Sequence, residues 1–399
     1  MKVLEINAVY GHGSTGTIVR DIEHMCLSNG IECYVASPDK SVLNSKNGYV
    51  IGNTLDHKLH AILCRVNGRQ AYFSRLATRA LLGYIGRLQP DVVHLHNLHS
   101  NYINLNMLLK YLAMNDIRTI VTLHDCWFYT GGCFHYTAVG CDKWLYSCGS
   151  CPKKMEDTPA YLCDCSSMIL ADRKRYLNAI PRLTVTGVSD WMISEGKKTF
   201  FGNRECLSIR NGIDLNVFKP TESDLRKRLG LENKYVILGP ASKWFLPINR
   251  PTLDYFVENM KSDEILLLFG ARQEVADLPA KVVSFGYTKD RTELAALYSI
   301  ADVFVNVTRE DSLSLINVEA QACGTPVVTY NQTGPKETVD EINSFSVKVG
   351  AMEQLYKKVC LIRQNMTNHK SIRQFVTSNY DLNQTYQDYV SLYLRIVSL

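Results

Sequence analysis

Apolar residues in the first half of the chain fall into short runs that alternate with longer segments of helical period. The runs that predict strands cover residues 2–8, 32–37, 92–96, 119–124 and 183–187. Residues 17–28 place Ile18, Ile22 and Met25 on one face of a helix, and residues 104–114 have the same period. This alternation predicts a parallel sheet with crossover helices.

The pattern restarts after a turn-rich stretch at residues 211–214, which read NGID. Strands are predicted at residues 235–240, 265–269, 282–285, 303–307 and 326–330, and helices at 251–260, 293–298 and 315–322. Two doubly wound α/β domains are therefore expected, one over residues 1–187 and one over residues 188–379. A last helical stretch, at about residues 380–399, has no strand after it and could pack back on the first domain.

Length and composition fit a two-domain globular protein. A chain of 399 residues is too long for one hydrophobic core, and 46% apolar with 21% charged residues is typical of a soluble protein. The formal net charge of +5 does not indicate nucleic-acid binding. No apolar run approaches the about 18 residues of a membrane span, and the N-terminus reads as a strand, not a signal peptide. A cytoplasmic protein is expected.

A glycine-rich loop follows the first predicted strand and opens a helix. Residues 11–16 read GHGSTG, which matches the G-x-G-x-x-G pattern of dinucleotide-binding proteins. Such a loop brings backbone N–H groups and a helix dipole to a phosphate, which makes Gly13 and Gly16 candidate donor-binding residues. An NAD-dependent dehydrogenase would need an acidic residue at the end of the second strand, but Asp39 comes only after Pro38. A tight turn without a ligand is the other interpretation.

The most informative segment covers residues 309–328, which read REDSLSLINVEAQACGTPVV. A predicted strand runs into this polar loop, and a helix begins near Leu315. Asp311 is therefore expected just past the carboxyl end of a strand, and Glu319 within the following helix. Ligands bind at this edge of an open α/β sheet. The loop N–H groups can meet a diphosphate, and a carboxylate in the first turns of the helix can accept both ribose hydroxyls.

This segment resembles the acidic-x7-acidic signature of the family 4 retaining glycosyltransferases, which have the GT-B architecture. In that family the first carboxylate lies at the donor sugar and the second binds the nucleotide ribose, which by position implies Asp311 and Glu319. Asp311 replaces the usual glutamate, as in polysaccharide-assembly members that read Glu-Asp here, and Glu310 is the alternative. Ser312 and Ser314 replace the usual glycines.

The resemblance covers nearly the whole chain. Further segments similar to the family's are residues 91–97 (DVVHLHN), 187–189 (GVS), 211–214 (NGID) and 334–337 (GPKE). The last of them resembles a loop that lies against the donor pyrophosphate. The resemblance implies an α/β protein of GT-B architecture, with two Rossmann-like domains that face a cleft. The first domain would receive the acceptor, and the second would bind the nucleotide-sugar.

Positive charge for a departing nucleoside diphosphate must come from a metal ion or from side chains and helix dipoles. The sequence offers no strand-end Asp-x-Asp motif of the metal-dependent transferases. The family uses an Arg/Lys pair after the first strand of the second domain, which implies Lys243 and Arg250 as donor-binding residues. Pro251 replaces the glycine that usually follows, and Arg272 is a further candidate. The resemblance thus implies catalysis without a cofactor.

Histidines cluster at two predicted strand ends of the first half. A family histidine at the position of His124 contacts the donor sugar, which implies a catalytic role for His124 through orientation and hydrogen bonding. His96 and His99 are expected on the acceptor side. His94 and His96 also form an H-x-H pair whose rings share one face of a strand, so that metal binding and core packing are both open.

Residues 57–87 are basic and amphipathic. Arginines interleave with apolar residues here, namely Arg65, Arg69, Arg75, Arg79 and Arg87 with Leu63, Tyr72, Phe73, Leu76, Leu81 and Leu82. The segment suits peripheral contact with anionic lipid or with a lipid-linked diphosphate acceptor. A solvated helix face with arginine stems over the core is the equal alternative.

Four of the thirteen cysteines form a cluster in a loop rich in glycine and aromatic residues. They have the spacing C-x7-C-x6-C-x2-C and are Cys133, Cys141, Cys148 and Cys151. Four thiolates in one irregular loop suit a structural zinc ion, for which Cys163, Cys165 or His135 could substitute as ligands. Disulfides and free thiols are open as well, although an odd cysteine count in a reducing compartment does not indicate a disulfide framework.

Taken together with these residues, the resemblance implies a retaining glycosyltransferase of the hexosyltransferase type. It would move a sugar from a nucleotide-diphosphate-sugar to a glycan or lipid-linked glycan acceptor in polysaccharide biosynthesis. It would act without a catalytic metal in the cytoplasm, either free or bound peripherally to the inner face of the membrane. Nucleic acid is not an expected partner. The alternatives are a protein that binds sugar nucleotides without catalysis and an NAD-dependent dehydrogenase.

Overall fold

The chain forms two compact units, each built on a sheet of its own. The computed structural model describes residues 1–157, 159–271, 278–365 and 368–398. The first unit contains Met1–Arg210 together with the C-terminal residues from Thr385, and the second contains Asn211–Gln384.

The described part of the first unit contains a seven-stranded parallel sheet. Its strands are β1 (Lys2–Ile6), β2 (Glu32–Ser37), β3 (Gly48–Val50), β4 (Val92–Leu95), β5 (Arg118–Leu123), β6 (Leu183–Gly187) and β7 (Glu205–Ser208). They lie side by side in the order β3-β2-β1-β4-β5-β6-β7, so that the direction of winding reverses between β1 and β4. The carboxyl ends of parallel strands share one edge, and ligands bind such sheets at the point of reversal.

Helices connect the strands of this sheet. They are α1 (Gly13–Ser28), α2 (Thr54–Asn67), α3 (Arg75–Leu88), α4 (Leu105–Met114), α5 (Ser166–Asn178) and α6 (Asp190–Lys197). Helix α1 buries Ile18, Val19 and Ile22; the first two lie four and three residues before Ile22, which places all three on one face. All four residues of β4 are buried, as expected of a parallel strand with helices on both faces of the sheet.

Two short strands of the first sheet are not predicted by the sequence. The three residues of β3 are half-buried, and β7 reads Glu-Cys-Leu-Ser, so neither contains an apolar run. Strand β7 pairs in parallel with β6 and thereby extends the first sheet. The first unit therefore continues to Arg210, beyond the boundary at residue 187 that the sequence pattern suggested.

The described part of the second unit contains a six-stranded parallel sheet in the order β10-β9-β8-β11-β12-β13. The strands are β8 (Tyr235–Pro240), β9 (Glu264–Phe269), β10 (Val282–Phe285), β11 (Val303–Asn306), β12 (Val327–Tyr330) and β13 (Phe345–Val347). The helices are α7 (Leu225–Arg228), α8 (Ala241–Trp244), α9 (Arg250–Asn259), α10 (Arg291–Ser299), α11 (Leu315–Ala322), α12 (Met352–Gln364) and α13 (His369–Tyr380). The winding reverses between β8 and β11. The sequence predicts the bounds of β8, β10 and α11 correctly but misses β13 at the edge of the sheet.

The core of the second unit joins the central strands to two helices. Ile237, Leu266 and Val303 of the sheet are buried with Phe256 of α9 and Val359 of α12. Among the described helices, none is both long and apolar enough to cross a membrane.

The C-terminal helix, α14 (Leu382–Ser398), adds a row of buried aromatic side chains to the first unit from Thr385 onward. The hydroxyl of Tyr393 forms a hydrogen bond of 2.6 Å with His94 Nδ1. Arg118 Nε donates to Ile396 O at 2.7 Å. These contacts bring the last part of the chain to strands β4 and β5.

Candidate functional site

Loops that follow β8 and β11 are tied together at the carboxyl edge of the second sheet. Asn249 is buried, and its Nδ2 donates to Lys243 O at 2.9 Å and to Val307 O at 3.0 Å. Its Oδ1 accepts from Arg309 Nε at 2.9 Å, and Arg309 Nη2 donates to Ile248 O at 3.0 Å. The guanidinium of Arg309 is therefore held against the turn between α8 and α9, which follows Lys243.

A buried network of amides and hydroxyls fixes the start of α11. Asn306, the last residue of β11, donates from Nδ2 to Ser314 Oγ and to Asn317 Oδ1, both at 2.8 Å. Asn317 Nδ2 donates to Thr338 Oγ1 at 2.9 Å, and Gln321 Nε2 donates to Thr338 O at 2.5 Å. All five residues are buried. The strand end, the helix and the turn at Gly334–Thr338 are therefore fixed relative to one another.

The Asp311 loop packs against the loop after β12 through its backbone. Asp311 N donates to Thr333 Oγ1 at 3.1 Å, and Gly334 N donates to Asp311 O at 3.1 Å. Thr333 has a φ of +61°, which is rare for a β-branched residue and marks local strain. A Cβ at Gly334 would lie 1.9 Å from Ser312 O. The two loops therefore touch at a distance that only glycine permits.

Glu319 lies half-buried on α11, and its Oε2 accepts from Tyr298 OH at 3.1 Å. Burial raises the pKa of Glu319 to about 7, although the hydrogen bond from Tyr298 and the charge of Arg291 oppose the rise. At neutral pH the carboxyl group is thus partly protonated. Hydroxyl donors that bind to it would favour its ionised form. The sequence indicates Glu319 but gives no sign of Tyr298.

The cations predicted to bind the diphosphate are less constrained than these carboxylates. Arg250 is exposed, and its Nε donates to Asp254 Oδ1 at 2.7 Å in an i,i+4 ion pair that costs little to break. Lys243 is half-buried on α8, and Glu310, like Asp311, is half-buried on its loop. Arg272 lies outside the described residues. Arg309 has no role assigned from the sequence, yet it is the cation whose position the hydrogen bonds of Asn249 fix.

In the first unit, three histidines stack at the carboxyl ends of β4 and β5. The ring centroids of His94 and His96 lie 3.9 Å apart, and those of His96 and His124 lie 5.2 Å apart. His96 Nδ1 and His124 Nε2 share a hydrogen bond of 2.9 Å. Burial lowers the pKa of His124 to about 4, and it lowers the pKa of His94 and His96 well below the usual range. All three imidazoles are therefore neutral near pH 7.

Glu5 is buried beside this histidine stack. Its Oε1 lies 3.8 Å from His94 Nδ1 and 4.0 Å from His96 Nε2, and burial raises the pKa of Glu5 well above its usual range. The three residues are close enough together to hold a metal ion. Both ring nitrogens of His94, however, form hydrogen bonds of 2.6 Å, one with Tyr393 OH and one with Thr122 Oγ1. The contacts of His94 therefore favour core packing.

His99 lies next to Asp125, the residue that follows His124. His99 Nε2 is 3.3 Å from Asp125 Oδ2, and the ring of His99 lies 4.4 Å from that of Phe134. Burial alone would raise the pKa of Asp125, but the contact with His99 and the N–H of Trp127 lower it overall. Asp125 is therefore ionised at neutral pH and orients the ring of His99.

Helix α1 begins in the glycine-rich loop, and the two candidate glycines of this loop have different surroundings. Gly13 is exposed with a φ of +63°, and a Cβ there would meet open space. Gly16 is buried, and a Cβ there would lie 3.0 Å from a methyl group of Val9. Gly16 thus serves close packing, whereas the backbone at Gly13 is open to a ligand. His12 pairs with Asp39, the acidic residue that a dinucleotide site would need free.

The four clustered cysteines lie in the long loop between β5 and α5. Cys133, Cys141, Cys148 and Cys151 are half-buried free thiols, and they line one cavity together with Trp144. Burial raises the pKa of Cys133 to about 12 and that of Cys148 to about 11. Protonated thiols are poor nucleophiles, so the cluster is not a candidate for covalent catalysis.

Two parallel doubly wound sheets define the class of this fold. A glycosyltransferase from Rickettsia africae ESF-5 matches it with a TM-score of 0.70 at 15% identity, over 99% of this chain and 98% of that chain. HepE of Anabaena, solved with UDP and glucose, matches with a TM-score of 0.64 at 16% identity, over 98% and 99% of the two chains. The chain has the GT-B fold of two Rossmann-like domains, which confirms the predicted fold class.

Comparison of sequences then shows which known proteins the chain resembles. Residues 258–376 match the family model for glycosyl transferases group 1, and this range includes Asp311 and Glu319. WcaC of Escherichia coli K12, which carries the name of a colanic acid biosynthesis glycosyl transferase, is 24% identical over 421 residues, or 99% of this chain and all of that protein. The resemblance to glycosyltransferases that the sequence suggested is confirmed by these two matches.

The raised pKa of Glu319 predicts how stability depends on pH. Between the ordinary carboxyl pKa and about 7, the folded protein binds more protons than the unfolded chain, so stability falls as pH rises. Glu319→Gln removes this loss and keeps an acceptor for Tyr298. We expect the variant to be more stable than the parent by about 1–3 kcal/mol near pH 8, and the difference to shrink near pH 5. Urea unfolding at both pH values measures this, and a difference independent of pH would contradict it.

The contact between Gly334 and Ser312 predicts a steric effect. Gly334→Ala should destabilise the protein by about 1–3 kcal/mol, because its Cβ would overlap a backbone oxygen. Gly286→Ala is the matched control, since a Cβ there would meet open space in the same unit. Thermal unfolding of both variants measures the effect. Equal midpoints for the two would show that the loops are not packed as described.

Proposed function

We propose that this protein is a retaining glycosyltransferase that uses a nucleoside-diphosphate sugar to extend a glycan or lipid-linked glycan in polysaccharide assembly. The observation that carries the proposal is the backbone contact of the Asp311 loop, which precedes the helix of Glu319, with Thr333 and Gly334. This contact supports a ligand site formed by two loops at the carboxyl edge of the second sheet, where open α/β sheets bind their ligands. The name of WcaC supports the polysaccharide class of product.

The charged groups at the carboxyl edge of the second sheet suggest how the parts of the donor would bind. Glu319 would accept hydrogen bonds from the two ribose hydroxyls, for which its ionised form is the better acceptor. The N–H groups at the start of α11 would face the diphosphate, with Lys243, Arg250 and Arg309 as counter-charges. Asp311, or Glu310 beside it, would bind the hydroxyls of the sugar. Because HepE of Anabaena was solved with UDP and glucose, UDP-glucose is the first donor to test.

The proposed transfer needs no protein nucleophile. The bond between the anomeric carbon and the diphosphate oxygen breaks, and the acceptor oxygen bonds to the same face of the sugar. The acceptor proton passes to the departing phosphate oxygen. In the first unit, the neutral ring of His124, held by His96, would orient the reacting sugar by hydrogen bonding. His99, held by Asp125, would contact the acceptor.

We further propose that helices α2 and α3 bind the surface of an anionic membrane, where a lipid-linked acceptor would be found. Along α2, apolar side chains repeat at helical spacing with exposed fractions of 77% for Leu55, 55% for Leu59, 58% for Ile62 and 43% for Val66. Such a stripe facing solvent is unusual for a surface helix. The basic residues exposed nearby in sequence are Lys58, Arg65, Arg69, Arg75 and Arg79. Apolar insertion combined with basic charge is typical of helices that lie on anionic bilayers.

Ligand-induced stabilisation tests the donor site. UDP, GDP, ADP and NAD are each added at about 100 times the dissociation constant, where a bound ligand stabilises by about 2.7 kcal/mol. We expect one nucleoside diphosphate to raise the unfolding temperature of the parent and of the exposed control Glu353→Ala, but not of Glu319→Ala.

The product anomer, read by NMR, should have the configuration of the donor, and the rate should not need added Mg²⁺ or Mn²⁺. A response to NAD alone, or to none of the four, would refute the proposal.

Vesicle flotation tests the membrane surface. We expect binding to vesicles that contain phosphatidylglycerol, weaker binding to pure phosphatidylcholine, and weakening with added salt. Replacing Leu55, Leu59 and Ile62 by serine should reduce binding by at least about tenfold, because each leucine contributes about 1–2 kcal/mol on burial. Met114→Ser, an exposed apolar residue of the same unit outside the stripe, should bind like the parent. Unchanged flotation of the triple variant would contradict the assignment. So would a parent protein that is dimeric in solution and becomes monomeric in the triple variant, because the stripe would then bind a second copy of the chain.

A further inference from the structure

The loop between β5 and α5 is long and contains little regular structure. Over residues 124–157 and 159–165, its described elements are two short 3-10 turns, Trp127–Tyr129 and Lys143–Leu145. Loops of this length usually need support beyond their own backbone. Aromatic packing supplies part of it, since the rings of Tyr136 and Trp144 lie 4.5 Å apart.

Cysteines from distant parts of this loop line one cavity. Cys133, Cys141, Cys148 and Cys151 line it together with Trp144 and Ser166, among other residues. Cys148, Gly149 and Ser150 have φ angles of +51°, +98° and +46°, a tight left-handed turn between the last two cysteines. The loop thus folds so that all four members of the C-x7-C-x6-C-x2-C pattern face the same space. We infer that these four cysteines bind one structural zinc ion.

Positive charge around the cavity supports this inference. Arg173 of α5 is buried, and its Nε and Nη2 have no hydrogen-bond partner among the described residues. Its Nη1 donates to Thr130 O at 2.7 Å, and its charge acts on Cys133 and Cys148. On the other side, Lys143 Nζ donates to Gly149 O at 3.1 Å and to Ser150 O at 3.0 Å.

A zinc ion with four thiolates carries two negative charges, which these two cations would balance. Disulfides or protonated thiols would be neutral. Arg173 would then keep the ring of Trp127, 3.7 Å from its guanidinium carbon, and Asp125, which is already paired with His99. A buried charge gains from a nearby opposite charge. The charges therefore favour zinc over the other two states of the cysteines.

Ion binding requires the thiols to move closer together. No three of the four sulfur atoms lie within 4.8 Å of one another. Tetrahedral zinc, with Zn–S distances of about 2.3 Å, would draw them together by rotation about the Cα–Cβ bonds. The thiols would lose their protons to solvent as the ion binds.

The zinc centre would brace the residues assigned to the acceptor. Thr130 Oγ1 donates to Cys133 O at 2.7 Å, and the next residue, Phe134, accepts at its carbonyl from Cys126 N at 2.8 Å. Phe134 also packs on the ring of His99. The ion would thus hold the wall of the site without taking part in the transfer.

Metal analysis of the full-length protein, purified without added metal or chelator, tests the inference. We expect about one zinc ion per chain, lost in Cys148→Ser and in Cys151→Ser. Cys163→Ser, an exposed cysteine of the same loop, should retain the ion. No zinc in the parent, even after refolding with Zn²⁺, would overturn the inference. Fewer than thirteen reactive thiols in denatured, unreduced protein would do the same, because that result means disulfides.

Cobalt substitution of the parent keeps the inference testable if the serine variants fail to fold. Co²⁺ bound by thiolates should show sulfur-to-cobalt charge-transfer absorption and the intense visible bands of tetrahedral coordination. Cobalt bands without charge transfer from sulfur would overturn the assignment, since they would indicate nitrogen and oxygen ligands such as Glu5, His94 and His96. Neither readout depends on donor binding, so failure of the zinc site is distinguishable from failure of the proposed function.

Discussion

The hydrogen bonds of Asn306 are the constraint on which the proposed donor side depends. This side chain is fully buried at the end of β11, and its amide donates to both Ser314 and Asn317. Asn317 extends the bonding to Thr338 in the turn after β12. An unpaired amide in this interior would cost about 1–3 kcal/mol, so the strand end, helix and turn can only move together. Their N–H groups are therefore ordered before a charged ligand binds, which is the condition for electrostatic stabilisation without reorganisation.

In the first unit, the candidate catalytic side chain, His124, is fixed by contacts among aromatic and imidazole rings, as the amide network fixes the donor side. Tyr393 of the C-terminal helix bonds to His94 and donates to Glu5 Oε1 at 3.1 Å. His94 stacks on His96, and His96 bonds to His124. Burial keeps the histidines neutral and favours a protonated Glu5, so the stack is ordered without a net charge in the core. The orientation of His124 thus depends on a helix that lies more than 250 residues further along the chain.

Sequence patterns predict the strands and motifs that depend on neighbouring residues. They miss the edge strands and the side chains whose positions depend on residues far away in the sequence. Strands β2, β6, β8 and β10 have the predicted bounds, because each is an apolar run between turn residues. Strands β3, β7 and β13 are short, and pairing at or near a sheet edge, not composition, makes them strands. Asp311 and Glu319 are visible as a spaced motif. Arg309 and Tyr298 are not, because their positions depend on Asn249 and Glu319, which lie 60 and 21 residues away.

Two charged groups at the proposed donor edge would change their state when a donor binds: the carboxyl group of Glu319 and the guanidinium of Arg250. Burial disfavours the ionised form of Glu319 while no hydroxyl donor is present. Arg309 is already held by Asn249, whereas Arg250 pairs with Asp254 at the surface. An exposed pair of this kind is worth about 0.2–1 kcal/mol, so exchanging Asp254 for a diphosphate oxygen is inexpensive. Donor binding would therefore ionise Glu319 and redirect Arg250, while the hydrogen bonds of Asn306 keep the backbone in place.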